Sequence, residues 1–296
     1  MSPLITSVLD LNAALGGNAD LLLGGGLGLY LKQEHLRRTG ARTLLAFDRL
    51  PPARTTQDID LFLRAEVIAS REAVSRHRAV LDDLGFIVVP GSEWLKFRRV
   101  TNGTEVLLDL MVGPLGSHAS EIRRVNARAR PRGLGGKAGL HAFVTAEALG
   151  IETEPLRIPL SGTTSDGRDS ACEVLVARAF PYALMKLAAL RDRIHDNSKQ
   201  EGRHHAMDLY RIVAMLTEEE IEASSRLARA HAACTELSQA ARTIDTLLAT
   251  PDGLGRIRLM EYRRANCTSA PDVDPDFLVR ELRALLSPPT TAPSPA

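Results

Sequence analysis

The stretch Arg-Thr-Thr-Gln-Asp-Ile-Asp-Leu-Phe at residues 54–62 constrains the fold more than any other. Side chains alternate along a strand, so Ile59 and Leu61 point to one face, and Asp58 and Asp60 point together to the other. Two neighbouring carboxylates repel each other unless a cation lies between them, and oxygen ligands suit Mg²⁺. A solvated edge strand with two exposed acids is the alternative. The stretch therefore predicts a strand with either a cation site or a solvated acidic face.

Composition limits the class of protein. The 296 residues are 44% hydrophobic and 25% charged, which suits one elaborate domain or two ordinary ones. The net charge of +1 gives no global affinity for nucleic acid, so any such contact needs a local patch.

Cysteine usage and hydropathy bear on the compartment. Cys172, Cys234 and Cys267 are odd in number and widely spaced, which argues against a disulfide framework and a zinc site. The N-terminus has no basic leader, and the apolar run at residues 21–31 is interrupted by glycines and too short to span a bilayer. We therefore expect a cytoplasmic protein with no membrane span.

A glycine-rich turn precedes the aspartate stretch. Residues 19–23 read as a buried strand, and Gly24, Gly25, Gly26 and Gly28 follow it into a helical segment. Backbone N–H groups at a helix N-terminus favour anions, and glycines let a phosphate approach closely. The alternative is that the glycines only permit close helix-to-strand packing. Because the spacing fits neither the dinucleotide-binding fingerprint nor the Walker A loop, a phosphate seat here requires another fold.

The segments on either side of residues 54–62 predict more of the sheet. Residues 43–47 are a second apolar run that could form an added strand, and residues 66–84 predict an amphipathic helix. The runs 86–89, 94–100 and 105–112 are joined by turn residues, which predicts an antiparallel meander.

The third run of that meander carries Asp109 among aliphatic residues. A lone carboxylate in apolar surroundings is costly unless it is paired or bound to a metal. Asp109 is therefore the third metal ligand that we expect.

The glycine turn, the Arg-Thr-Thr-Gln-Asp-Ile-Asp strand and the later acid resemble the nucleotidyltransferase superfamily typified by DNA polymerase β. The turn and the strand are most similar to those of AbiEii-type toxin nucleotidyltransferases of type IV toxin–antitoxin and phage-defence systems. Residues 181–193, with a Lys-Leu-Ala-Ala-Leu core, and residues 205–210, with Asp-Leu-Tyr, resemble two helices of that group. The resemblance covers residues 20–215 in four ordered blocks.

The resemblance implies an α+β fold. A nucleotidyltransferase-type mixed sheet flanked by helices would occupy residues 1–176, and a mostly helical C-terminal domain, residues 177–286, would close over the nucleotide. Residues 287–296 are rich in Pro, Ser and Thr, so their composition predicts a disordered tail.

The resemblance also implies a metal site and its chemistry. Asp58, Asp60 and Asp109 would hold the metal, with two Mg²⁺ ions expected and Mn²⁺ as the alternative ion. In nucleotidyl transfer, two such ions activate the attacking hydroxyl and stabilise the leaving pyrophosphate. Asp109 would bind the ion that faces the acceptor hydroxyl and take up its proton.

Nucleotide-binding residues follow from the same resemblance. The phosphates of an NTP would rest on Gly25 and Gly26, and Lys186 would reach them as a point charge. Arg54 would brace the aspartate strand, and Thr56 would hydrogen-bond a nearby backbone turn. The alternatives are a Lys186 whose stem packs on its neighbours with the charge in water, and an Arg54 that lies on the surface.

The implied reaction is transfer of a nucleoside monophosphate from an NTP to an acceptor hydroxyl on RNA, such as tRNA, or on protein. A toxin of this kind has a cognate antitoxin as a partner. The alternatives are transfer to a small molecule, as in antibiotic-modifying relatives, and a catalytically inactive nucleotidyltransferase fold that serves as a binding module.

One cationic block stands out in this near-neutral chain. Residues 123–137 contain six cations and no acid. Arg123, Arg124, Arg128 and Arg130 could grip the phosphate backbone of RNA, and a solvated loop is the alternative. His204 and His205 are adjacent on a predicted helix, where consecutive side chains diverge, so we do not expect them to share a metal.

Overall fold

The computed structural model describes residues 3–17, 19–53, 56–101, 103–133, 139–266 and 272–287, and the backbone alone at residues 198 and 199. The chain divides into two compact units. The first comprises Met1–His35, Arg54–Ala146 and Glu152–Ala177, and the second comprises Leu36–Ala53, Glu147–Ile151 and Arg178–Ala296. Residues 288–296, where we predicted a tail, lie outside the described residues.

The first unit contains every described strand. Its helices are α1 (Pro3–Ala14), α2 (Gly25–Thr39, which ends in the second unit), α3 (Ala65–Ala69) and α4 (Arg71–Asp83). Its strands are β1 (Leu22–Leu23), β2 (Asp58–Leu63), β3 (Ile87–Val88), β4 (Lys96–Thr101), β5 (Thr104–Val112), β6 (Ile122–Val125), β7 (Arg128–Pro131), β8 (Ala142–Val144), β9 (Leu156–Thr163) and β10 (Asp169–Val176).

These strands form one mixed sheet in the order β6-β7-β8-β5-β2-β1-β10-β9, with β4 joined to β5 and β3 joined to β4. The pairs β2–β5, β5–β8 and β1–β10 are parallel, and the other pairs are antiparallel. The coarse class that we predicted is confirmed: the chain is α+β, with a mixed sheet flanked by helices and a helical C-terminal part.

The two faces of the sheet differ in what covers them. On the closed face, Ile59 and Leu61 of β2 are buried, and α1 packs against β4, β5, β9 and β10. On the open face, Asp60 and its β5 neighbours Leu107 and Asp109 are only half-buried. The alternation that we read from residues 58–61 is confirmed by this difference.

The predicted meander is also confirmed. Strand β4 pairs antiparallel with both β3 and β5, and Thr101 faces Thr104 across the turn. The turn residue Asn102 lies outside the described residues.

Two other predictions of secondary structure were wrong. Residues 43–47 form no strand, because the backbone N–H groups of Leu44 and Leu45 donate to Leu216 and Ala214, 2.9 and 3.1 Å away, within the second unit.

The predicted helix at residues 66–84 is two helices, α3 and α4. It breaks at Ser70, whose hydroxyl accepts a hydrogen bond from the Ala73 N–H at 3.2 Å and so caps α4.

The second unit is helical. It contains α5 (Ala179–Arg193), α6 (Arg203–Ala214), α7 (Glu218–Ala230), α8 (Thr235–Thr243), a π-helical turn (Ile244–Leu248), α9 (Leu254–Asn266) and α10 (Pro275–Leu286). Thr217 caps α7 by accepting from the Glu220 N–H at 3.2 Å, as the Thr-Glu-Glu-Glu start predicts. Within the described ranges, each helix is too short or too polar to cross a membrane.

Candidate carboxylate site

The candidate site lies on the open face of the sheet, on β2 and β5. Asp60 is the direct neighbour of Asp109 in the parallel register of these strands, and Asp58 is the neighbour of Leu107. Residues paired in this way point to the same side, and adjacent strands lie about 4.8 Å apart. The structure therefore places all three predicted acids on one face, with Asp60 and Asp109 side by side.

A lysine that sequence reasoning missed occupies the neighbouring position. Lys96 of β4 is the cross-strand partner of Asp109, and its ammonium group forms an ion pair with the Asp109 carboxylate. The Lys96 side chain is 53% exposed and the Asp109 side chain 19%. Solvent screens such a half-exposed pair, so a ligand or cation can replace it at small cost.

Asp60 is held against the glycine turn. The Gly24 N–H donates to the Asp60 carbonyl at 2.8 Å, and a Cβ atom added at Gly25 would overlap the Asp60 carboxylate. Gly25 also has a φ of +56°, which side chains with a Cβ rarely adopt. Glycine is therefore required here both by backbone conformation and by space. The Asp60 carboxylate consequently lies at the N-terminus of α2, where the helix dipole favours negative charge.

The three acids suit Mg²⁺ as ligands but are not arranged as a ready-made site. Among the described residues, no three carboxylate, imidazole or thiol side chains are grouped so that they could hold a metal ion. Carboxylates from two adjacent strands nevertheless provide the hard oxygen ligands that Mg²⁺ prefers. Binding a cation here requires the Lys96 ammonium to leave Asp109.

The other predicted residues of the aspartate strand contribute locally. The Thr56 hydroxyl accepts a hydrogen bond from the Asp58 N–H at 3.4 Å, so it shapes the start of β2. Gly26 lies in the first turn of α2. Arg54 lies outside the described residues.

Lys186 lies on α5, in the second unit, within a buried ionic network. Its ammonium group donates to Asp208 Oδ2 at 2.8 Å, and Arg211 Nη1 donates to Asp208 Oδ1 at 2.9 Å. Arg211 also donates to the Pro52 carbonyl. All three charged side chains are less than a tenth exposed. The alternative of a Lys186 charge in water is therefore wrong, because the ammonium group is buried and paired with Asp208. The predicted contact of Lys186 with phosphates stays a prediction.

The cationic block forms a hairpin, so the solvated-loop alternative is wrong for its described part. Strands β6 and β7 pair antiparallel with Arg123 opposite Arg130, while Arg124 Nε donates to the Asn126 carbonyl at 2.9 Å. Arg128 forms an ion pair with Glu93. Residues 134–137, which complete the block, lie outside the described residues.

A buried histidine lies beside this hairpin. His141 is 7% exposed, and within the described ranges neither of its ring nitrogens has a hydrogen-bond partner. Burial first, and then the positive charges of Arg130 and Arg128, lower the pKa of His141 to about 4. The imidazole is therefore neutral at neutral pH. His204 and His205 lie in the first turn of α6. Their ring centroids are 3.9 Å apart, so the expected divergence of the two side chains is wrong, and Arg193 Nη1 lies 2.9 Å from His205 Nε2.

Lys96 is a site residue that the sequence analysis did not name, although the hairpin pattern could have identified it. A hairpin that turns at Asn102 and Gly103 pairs Thr101 with Thr104, and counting outward from that pair places Lys96 opposite Asp109. Asp208 had no such signal, because its pairing with Lys186 joins two helices.

Comparison with known proteins adds no relative. No family model matches the chain, no curated protein matches it, and no solved structure matches it. The site is therefore interpreted from its own residues.

Proposed function

We propose that this protein is a metal-dependent nucleotidyltransferase that moves a nucleoside monophosphate from an NTP to an acceptor hydroxyl. The observation that carries the proposal is the register of β2 and β5, which puts Asp60 beside Asp109 and Asp58 on the same face. Carboxylates brought this close repel each other, Lys96 offsets the charge of Asp109, and a bound metal ion would offset the repulsion among all three.

The glycine turn supports the same proposal. Gly25 and Gly26 open α2 directly beside the Asp60 carboxylate, and the N–H groups at a helix N-terminus are suited to phosphate. Carboxylates for a cation and a backbone for phosphates thus lie next to each other, as a metal–nucleotide complex requires.

The roles that we assign to the residues are those that the resemblance implies. Asp58, Asp60 and Asp109 hold Mg²⁺, and Mn²⁺ is the alternative ion. When bound, the metal polarises the phosphoryl group and lowers the pKa of the attacking hydroxyl. Asp109 accepts the proton of the acceptor hydroxyl once Lys96 has moved away, and Gly25 and Gly26 orient the phosphates. The resemblance to AbiEii-type enzymes favours RNA or protein as acceptor and a toxin role with a cognate antitoxin.

The test is label transfer from each of the four NTPs, with Mg²⁺ and total RNA or cell extract. We expect the wild-type chain to label an acceptor, and Asp60→Asn to lose at least about 1,000-fold in rate, about 4 kcal/mol. The folded state of Asp60→Asn should be as stable as wild type, because the substitution relieves repulsion. Asp20→Asn is the matched control, since Asp20 is a half-exposed acid paired with Arg64. Full activity in Asp60→Asn would contradict the proposal.

The second candidate is a binding module with the same fold and no transfer activity. The observation that favours it is the Lys96–Asp109 ion pair, which neutralises one of the three acids. Calorimetry separates the two functions, because a binding module takes up NTP without releasing pyrophosphate. Labelling of a small molecule in place of RNA or protein identifies the antibiotic-type alternative.

A further inference from the structure

An exposed aromatic side chain lies on the same sheet face as the three acids. Phe143 of β8 is the parallel neighbour of Met111 on β5, two residues beyond Asp109. It is 44% exposed, although its neighbours Ala142 and Val144 are buried on the closed face. Phe143 lies on the strand next to β5 and two residues further along than Asp109. This displacement puts the Cα atoms of Phe143 and Asp109 about 8 Å apart.

Cationic side chains flank this ring on the same face. Arg128 of β7 is the direct neighbour of Phe143, and Arg130 follows Arg128 by two residues, so both point to the open face. Arg123 of β6 lies opposite Arg130 and extends the row to the end of the sheet. Arg128 also forms an ion pair with Glu93. The face thus combines an aromatic platform with three guanidinium groups.

His141 adds a hydrogen-bonding group to this surface. It precedes Phe143 by two residues, so it lies on the same face, and the charges of Arg128 and Arg130 contribute to its lowered pKa. Both ring nitrogens are buried and have no partner within the described ranges. A buried polar group without a partner is costly, and a ligand that displaces the side chains over His141 and hydrogen-bonds to its ring would remove that cost.

We infer that this face, made of Arg123, Arg128, Arg130, His141 and Phe143, binds a single-stranded segment of RNA. An unpaired base stacks on Phe143, the arginines hold the flanking phosphates, and the strand continues along the face toward Asp109. Stacking on an aromatic ring requires an unpaired base, which is why the segment is single-stranded. That the RNA strand runs toward Asp109 rests on the proposed nucleotidyl transfer. The binding of RNA to this face does not depend on that proposal.

The positive charge of this face favours RNA over a protein as its ligand. A protein partner for an exposed ring and three arginines would have to supply several acids, whereas a nucleic-acid strand supplies one negative charge at each nucleotide together with a flat ring. RNA matches both the cations and the ring with one repeating unit.

The test measures binding of a fluorescent single-stranded RNA of mixed sequence, and of the same RNA in a duplex, by anisotropy in EDTA without NTP. We expect the single strand to bind more tightly than the duplex. Phe143→Ala should weaken single-strand binding about 5- to 150-fold, the range for loss of one stacked base. Phe143→Trp should bind like wild type, and Phe143→Leu should bind as weakly as Phe143→Ala because a leucine has no π face.

Two controls complete the design. Tyr30→Ala removes another exposed aromatic side chain, 41% exposed on α2, and should leave affinity unchanged. Arg123→Ala with Arg130→Ala should weaken binding and reduce the salt slope by about 1.4, since each phosphate contact contributes about 0.7 for single strands. Arg76→Ala with Arg157→Ala, which removes two exposed arginines on α4 and on the far edge strand β9, should leave the slope unchanged.

Each result supports or overturns the inference. Wild-type affinity in Phe143→Ala or in Phe143→Leu overturns stacking, and a preference for duplex overturns the single-stranded ligand. If the wild-type chain does not bind RNA, the inference is overturned, and a protein becomes the candidate partner of this face. RNA binding by wild type without label transfer contradicts the proposed function alone.

Discussion

Two ion pairs on strand β4 lie on opposite faces of the sheet. Lys96 pairs with Asp109 on the open face, where the side chains are 53% and 19% exposed. Arg99, three residues later, pairs with Asp10 of α1 on the closed face at 2.5 Å, where the side chains are 6% and 4% exposed. One strand therefore carries both a pair that solvent screens and a pair that is sealed from it.

The buried pair is part of a network that the open pair lacks. Arg99 Nε also donates to the Thr101 hydroxyl at 2.7 Å, and Asp10 accepts from the Ser165 N–H at 2.9 Å. Removing one partner of a sealed pair leaves an uncompensated charge in a low-dielectric environment, whereas removing one partner of a screened pair does not. Charges on the closed face thus fix the fold, and those on the open face are available for ligands.

Asp10→Ala should have the largest effect on stability. It leaves the Arg99 guanidinium buried without its carboxylate, and we expect a loss of about 3–5 kcal/mol in the free energy of unfolding, measured by urea denaturation. Asp20→Ala, which breaks the half-exposed pair with Arg64, should cost less than about 1 kcal/mol. If the two variants are equally stable, the contrast between the faces is wrong.

Gly25→Ala should have an intermediate effect, because a Cβ there meets both backbone strain and the Asp60 carboxylate. We expect a loss of about 2–3 kcal/mol, with metal-dependent transfer falling as Asp60 moves. Gly85→Ala isolates the strain alone, since Gly85 has a φ of +76° with no atom within 4 Å of the added Cβ. It should cost about 1 kcal/mol. Equal losses in both would mean that Asp60 does not need the space at Gly25.

Lys96→Met should have the smallest effect on stability, less than about 1 kcal/mol, because the pair is screened. It should tighten Mn²⁺ or Mg²⁺ binding by up to about fivefold in calorimetry, since the cation no longer displaces an ammonium group. Lys96→Arg keeps the pair and should bind metal like wild type. Weaker metal binding in Lys96→Met would assign Lys96 to the site as a supporting group.

The carboxylate face could be predicted from the sequence because it depends on short-range rules. Alternation placed Asp58 and Asp60 together, and the turn residues defined the meander whose third strand carries Asp109. The parallel register of β2 with β5, which puts Asp60 beside Asp109, is a long-range pairing that the sequence pattern does not define.

What the sequence did not reveal depends on long-range contacts. Residues 43–47 have the apolar content of a strand, but their backbone hydrogen bonds go to the end of α6. The burial of Lys186 depends on Asp208 and Arg211, which lie on another helix. In both cases the local pattern is ambiguous and the packing decides.

The edges of the sheet carry a further consequence. Outer strand β6 exposes Arg123 and Arg124, and outer strand β9 has Pro159 at its middle, which has no N–H to offer. Charge and proline are devices that prevent strands of two molecules from joining edge to edge. The arginine that would hold an acceptor strand therefore also protects the molecule from self-association. A drop in RNA affinity on removing Arg123 can be attributed to lost phosphate contacts only when the variant keeps the association state of the wild-type chain.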